Sequence, residues 1–195
     1  METIEYTVKF FSEWHCGSGL AAGANINALV VKDKNELPFI PGKTIKGLVR
    51  EAVEDILSFK NEKKEKIFYE TFGYNNDDEE NKKNIDDIEK LENNGVGCCF
   101  FSNAVLNETL SSDIKNEDLV RFLYRSHSST AIEDSGIAKE HSLREIETVI
   151  PCELHGTINY VPKLMEENIK DGLGLIKRLG VNRNRGLGRC QITLK

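Results

Sequence analysis

Two stretches of this chain carry apolar residues at helical spacing, and strand-like segments frame both of them. In the first stretch Ile45, Leu48, Val49, Ala52, Val53, Ile56 and Leu57 recur on one side, which predicts a helix from about Thr44 to Phe59 with Thr44 as its N-cap. In the second, Leu164, Met165, Ile169, Leu173, Ile176 and Leu179 mark one side of a helix over Pro162–Leu179. Glu2–Ser12 alternates as a strand does. Asn27–Asp33 resumes a strand-like pattern before a turn at Lys34–Glu36, and Pro38–Gly42 leads in extended form into the first helix. Val96–Leu106 reads as a buried strand, Ser111–Leu123 as a short helix, Glu145–Tyr160 as a long strand or a hairpin, and Arg189–Leu194 as a final strand. Strand, helix, strand, insertion, strand, helix, strand is the order of an α+β fold with a ferredoxin-like β-α-β-β-α-β core.

RNA-recognition domains use the same order. A length of 195 residues suits a single domain spanning 1–195 with insertions. One insertion, about 75–94, is charged and asparagine-rich and is expected to be an exposed loop. A second, polar stretch at Ser126–His141 reads as a long loop within an arm of about 124–146. His15–Gly23 and Gly180–Gly188 are glycine-rich loops. No apolar run reaches the length of a membrane span, and Met1–Phe10 lacks the basic flank of a secretory signal, so a cytoplasmic location is expected. The five cysteines, at 16, 98, 99, 152 and 190, form no C-x-x-C pair, which suggests buried thiols in a reduced compartment and neither zinc nor disulfides.

A net charge of −6 speaks against a nucleic-acid partner only if the charge is evenly spread, and it is not. Between Asn61 and Glu92 eleven acids oppose six lysines, so that segment carries −5 and the rest of the chain −1. Lys43–Arg50 carries +3 without an acid, and residues 177–195 carry +6 without an acid. Phosphate binding follows the local field, so such patches outweigh the sum.

The first basic patch lies in IPGKTIKGLVRE, Ile40–Glu51. Gly42 precedes a helix start, where N–H groups and the dipole favour an anion; Lys43 stands beside it, and Lys46 and Arg50 share one helix face. A capped helix with a solvated basic face is the alternative. Gly42-Lys43-Thr44 matches the end of a nucleotide-binding P-loop, but that motif needs a glycine at position 37, which is Leu, so an NTPase is excluded. The second patch is LGVNRNRGLGRCQI, Leu179–Ile192, where Arg183, Arg185 and Arg189 interleave with Gly180, Gly186 and Gly188. Glycine lets a backbone approach a phosphate, and arginine grips it with two donors. In WHCGSG, Trp14–Gly19, His15 could serve a ribonuclease as acid or base, or could stack and hydrogen-bond. Ser128–Leu143 could present Ile132 or Ile137 against bases, or be an ordinary surface excursion.

Taken together, WHCGSG, LPFIPGKTIKGLVRE, TAIEDSGIAKEHSL, VIPCEL and LGVNRNRGLGRC resemble the RAMP superfamily, the repeat-associated proteins of CRISPR systems, across nearly the whole chain and in the family's order. The arm and the VIP-type strand after it look like the backbone, palm-and-thumb, subunits of type III effector complexes. The resemblance implies an antiviral ribonucleoprotein in which copies of this chain or related RAMP subunits stack as a filament on a guide CRISPR RNA, together with large and small subunits, and present the guide to single-stranded target RNA. It implies RNA contacts at His15, Gly17, Ser18, Lys43, Lys46, Arg50, Arg125, Arg183, Arg185 and Arg189, with Ile132 as a wedge between guide and target. In cutting members an aspartate after the first glycine-rich segment promotes cleavage of target RNA with a divalent metal ion, Mg2+ or Mn2+.

Here the expected aspartate falls in ANINALVVKD, at Asn27, which can neither act as a base nor match a carboxylate as a metal ligand. Asp33 is the nearest acid but stands by a turn. The leading expectation is therefore a guide-binding subunit with cleavage disabled at Asn27. The alternatives are an active metal-dependent target-RNA endonuclease, a repeat-RNA processing endonuclease using His15, and a ferredoxin-like regulatory domain unrelated to RNA.

Overall fold

The computed structural model describes residues 1–20, 28–64, 66–74 and 95–195. Asn27 and the charged insertion at 75–94 lie outside the described residues. The chain opens with strand β1 (Glu2–Phe10) and continues into helices α1 (Gly42–Phe59) and α2 (Lys66–Phe72). Strand β2 (Phe100–Phe101), helix α3 (Glu108–Asn116) and a single 3-10 turn at Val120–Leu123 follow. Strands β3 (Tyr124–Ser129), β4 (Arg144–Val149) and β5 (Glu153–Val161) precede helix α4 (Lys163–Leu175), a 3-10 turn at Arg183–Arg185 and strand β6 (Cys190–Leu194).

The main sheet has the order β2-β5-β1-β6, with every pair antiparallel. Alternation in β1 decides which face is covered. Ile4, Tyr6, Val8 and Phe10 are buried, while Glu5 and Lys9 stay exposed. The helices supply the other half of the core. Ile45, Val49, Ala52, Val53 and Leu57 of α1 pack with Met165, Ile169 and Leu173 of α4, the residues that the helical spacing singled out. At roughly 1.5–3 kcal/mol for each large apolar side chain removed from water, this seam dominates the stabilisation of the two helices.

Four expectations are corrected. Helix α1 starts at Gly42, not Thr44, with Pro41 as N-cap and no side-chain hydrogen bond from that cap. The Gly42 N–H donates instead to Asn103 Oδ1 at 2.9 Å, a partner far along the sequence that local capping rules do not reveal. The expected strand over Val96–Leu106 narrows to Phe100–Phe101, because its flanks pair irregularly with Glu70, Thr71, Ile40 and His155. Asn27–Asp33 forms no regular strand among its described residues, and Ala28, Val30 and Lys32 make only single bridges to Ile146, Gly17 and Pro38. Helix α4 stops at Leu175, and Lys177 and Arg178 run beside Cys190 and Arg189.

Residues 145–160 are two strands of two different sheets. β4 pairs with β3 and β5 with β1, and Pro151, which has no N–H to donate, stands at the break. Of the loop expected at Ser126–His141, Ser126–Ser129 instead belong to β3, which pairs with β4 as a hairpin from Tyr124↔Val149 to Ser129↔Arg144, while residues 130–141 stay outside regular strands. The strand character of β3 is hidden because most of it is exposed, so the apolar alternation that marks a half-buried strand is missing. The five cysteines are free thiols. No helix among the described residues is long and apolar enough to cross a membrane.

Candidate nucleic-acid interface

A five-residue segment after β1, Phe11–His15, holds both glycine–arginine loop and hairpin. Towards the loop its bonds are mainly backbone. Phe11 N–H donates to Arg189 O at 2.8 Å, Gly188 N–H to Glu13 O at 2.7 Å, and Val181 N–H to His15 O at 2.9 Å. Ser12 Oγ accepts the Arg189 N–H at 2.9 Å. The loop closes on itself through Leu179 N–H to Gly188 O at 2.9 Å. Two glycines are needed for this fit. Gly188 has φ +68° and a Cβ there would lie 1.9 Å from Leu179 O; Gly180 has φ +96° and a Cβ there would lie 2.3 Å from His15 O.

The backbone of the loop is thus fixed while its cations stay outside. Arg183, Arg185 and Arg189 are exposed, as are Lys177 and Arg178 just before them. Arg178 donates through NH1 to Arg183 O at 2.9 Å, which braces the 3-10 turn carrying Arg183 and Arg185. None of these five cations forms an ion pair with a described residue. A backbone held in place, with exposed cations that no described carboxylate neutralises, is an arrangement suited to holding phosphates.

Towards the hairpin, the same segment uses side chains as well. Trp14 exchanges two backbone bonds with Val149, at 3.0 and 2.8 Å, and its ring stacks on Phe10 at 4.7 Å. The Glu13 carboxylate accepts from Arg125 NH1 at 2.9 Å, from Thr148 Oγ1 at 2.8 Å, and from the His127 ring. Burial pushes the Glu13 carboxyl up, but the bonds from His127, Thr148 and Arg125 outweigh it and hold the group below the usual carboxylate range. Arg125 is therefore engaged at the base of the arm. The tip carries Ile132, 71% exposed, with Ile137 and Leu143 also exposed. It is shaped by an Ile132↔Ala138 bridge and a turn in which Gly136 N–H donates to Glu133 O at 2.8 Å.

The Trp14–Gly19 loop departs from expectation at its histidine. His15 is 1% exposed, and its Nδ1 lies 2.6 Å from Glu147 O; a carbonyl only accepts, so Nδ1 carries the proton. A ring so buried and anchored is closed to solvent in this structure, where the sequence suggests an open loop histidine at His15. Its position joins loop, hairpin and Gly180 instead. Glu147 is itself a junction, accepting from Lys32 Nζ at 2.8 Å and Val30 N–H at 3.1 Å. Gly17 remains exposed, and the Ser18 hydroxyl is engaged with Leu29 O at 3.1 Å and the Leu20 N–H at 3.1 Å.

On α1 the basic residues part company. Lys43 is exposed and Lys46 half-buried, and neither forms an ion pair with a described residue. Lys43 and Thr44 lie beside Cys16: burial pushes that thiol up, while a hydrogen bond to Thr44 and the Lys43 charge pull it down. The start of α1 therefore adjoins the Trp14–Gly19 loop. Arg50 turns inward. Its Nε bonds Glu54 Oε1 at 3.2 Å, its NH1 reaches Gly73 O at 3.4 Å, and its guanidinium lies 5.7 Å from the Phe68 ring. Arg50 thereby ties α1 to α2, where the sequence suggests a side chain turned to phosphate.

The RAMP superfamily model matches residues 7–191. The chain belongs to the RAMP superfamily. As a RAMP protein it is also similar in fold to solved complexes. A chain of the cryo-EM structure of the type III-B Cmr-beta bound to cognate target RNA superposes with a TM-score of 0.71 at 11% identity, covering 100% of this chain and 97% of that one. A chain of the Cmr-beta apo state gives 0.66 at 10% identity, covering 98% and 96%. A search of curated protein sequences finds no match.

For the divalent metal ion expected from the resemblance, the described residues offer no group of three or more His, Cys, Asp or Glu able to hold it. Asp33 is engaged in its turn, where Oδ1 accepts the N–H groups of Asn35 at 2.8 Å and Leu37 at 2.9 Å. The described residues do not fit such an ion. Sequence reasoning missed Glu13, Glu147, Arg178 and Phe11 in this RAMP scaffold. Glu13, Glu147 and Phe11 act through partners distant in sequence, whereas Arg178 already stands within the basic run of residues 177–195 and braces Arg183 five residues on.

Proposed function

We propose that this RAMP protein is a guide-RNA-binding backbone subunit of a type III CRISPR interference complex. The sheet order β2-β5-β1-β6, with α1 and α4 on one face, supports the ferredoxin-like core expected of such a subunit. The observation that carries the proposal is the glycine–arginine loop: its backbone is clamped to Phe11–His15, and Arg183, Arg185 and Arg189 stand exposed and free of ion pairs with described residues. Lys43 and Lys46 extend the track along α1. The hairpin arm, with Ile132 at its exposed tip, is the wedge between guide and target. Similarity to a complex bound to cognate target RNA supports target RNA and further subunits as partners.

Within this role the chain holds the guide and does not cut. Asn27 stands where cutting relatives are expected to carry an aspartate, and the burial of His15 disfavours repeat processing through that residue. Purifying the chain with its neighbouring subunits and sequencing the RNA that accompanies it tests the assignment. Enrichment of repeat-spacer guides is expected, and random cellular RNA would contradict it. In the same complex Asn27→Asp, supplied with Mg2+ or Mn2+, is expected to gain cleavage of target RNA at even spacing.

A further inference from the structure

The cations that precede the glycine–arginine loop do more than extend its charge. Lys177, Arg178, Arg189, Cys190 and Gln191 line a cavity of about 360 Å³ with Phe11. Three neighbouring segments build it. Phe11 N–H bonds Arg189 O at 2.8 Å on one side, and Cys190 N–H bonds Lys177 O at 2.9 Å on the other, with Arg178 and Arg189 bridged. Phe11 is 48% exposed, although its neighbours Phe10 and Trp14 are buried, and the Arg189 guanidinium lies 5.8 Å from its ring centre. Three cations and no carboxylate line the cavity. Burial pushes the Cys190 thiol up to about 11, with the Lys177 charge pulling the other way, so it adds no negative charge near neutral pH.

An aromatic face, a guanidinium, two further cations and a side-chain amide match the parts of one nucleotide. The ring offers a stacking platform that any base satisfies, and the cations suit its phosphate. The Gln191 amide both donates and accepts, so it can meet different base edges. The volume falls within the ordinary range for a small-ligand cleft. We propose that this cavity captures one unstacked nucleotide of single-stranded RNA, its base on Phe11 and its phosphate on Lys177 and Arg178, without base preference. This rests on the RNA-binding function proposed above and adds a site beside the glycine–arginine loop.

The test uses the full chain and a fluorescently labelled single-stranded RNA containing 4-thiouridine, followed by anisotropy and by photo-crosslinking. Phe11→Leu keeps an apolar side chain and removes the stacking face; a loss of affinity of about fivefold or more is expected. Phe11→Trp is expected to retain or exceed the parent affinity, and Lys177→Gln to lower the salt slope by roughly 0.7. Crosslinks are expected on the peptide that holds Phe11. If Arg183→Gln weakens binding while Phe11→Leu does not, the cavity is overturned and the loop's grip on RNA stands. Equal losses in Phe11→Leu and Phe11→Trp would make the ring a packing residue and also overturn it. If the parent chain binds no RNA, the cavity and the function beneath it fall together.

Discussion

The carbonyl oxygen of His15 accepts the backbone N–H of Val181 at 2.9 Å, while the His15 ring bonds the backbone of Glu147. One buried residue thus touches the glycine–arginine loop through its main chain and the hairpin arm through its side chain. The geometry of the loop relative to the arm is set here, in the segment Phe11–His15, with the arginines themselves left free.

Gly188→Ala tests that clamp. The substitution places a Cβ against Leu179 O in a backbone with positive φ, and is expected to cost about 1–3 kcal/mol in denaturant unfolding. RNA affinity is expected to fall as well, because the bond from Gly188 to Glu13 O is lost or bent. An unchanged midpoint would show that the loop is not held as described.

Arg50→Gln separates structure from binding. It removes the contacts to Glu54, Gly73 and Phe68, so a loss of about 1 kcal/mol is expected from a helix-surface ion pair and a cation–π contact together. The salt slope for RNA is expected to stay at the parent value. A slope lowered by one would return Arg50 to the phosphate track.

Glu13 gives the arm a pH dependence of definite sign. Burial raises its carboxyl, but hydrogen bonds from His127, Thr148 and Arg125 hold it below the ordinary carboxylate range, so its contribution is complete above the unfolded pKa and is lost as pH falls through the folded one. Glu13→Gln is expected to destabilise at neutral pH, and the gap to the parent to close on acidification below about 4. Thermal unfolding across a pH series measures it, and a gap that widens in acid contradicts the assignment.

The helices were legible because amphipathic spacing is a local property, and Ile45 through Leu57 satisfied it with no help from the rest of the chain. The cap of α1 was not legible, since Asn103 reaches Gly42 from another part of the sequence. Strand β3 escaped for a different reason: it is exposed along most of its length, and no alternation of apolar residues marks it. At the candidate site, composition pointed to Arg183, Arg185 and Arg189, which the structure leaves exposed. It could not show that His15 is buried or that Arg50 turns inward, because burial and ion pairing are set by tertiary neighbours.

Ile132→Ser examines the tip of the arm. At 71% exposure the side chain contributes little to folding, and unfolding is expected to shift by less than about 0.5 kcal/mol. Pairing of target RNA to the guide in the assembled complex is expected to lose its regular pattern of exposed nucleotides under chemical probing. A probing pattern identical to the parent's would remove Ile132 from the contact.

The most direct test of the central claim is the salt dependence of RNA binding by the parent chain and by a variant carrying Arg183→Gln, Arg185→Gln and Arg189→Gln together. If these three exposed guanidinium groups hold phosphates, log affinity falls steeply with log salt in the parent, and the variant loses roughly 0.7 from the slope per arginine while unfolding at the parent's midpoint. Equal slopes for the two proteins would contradict the account.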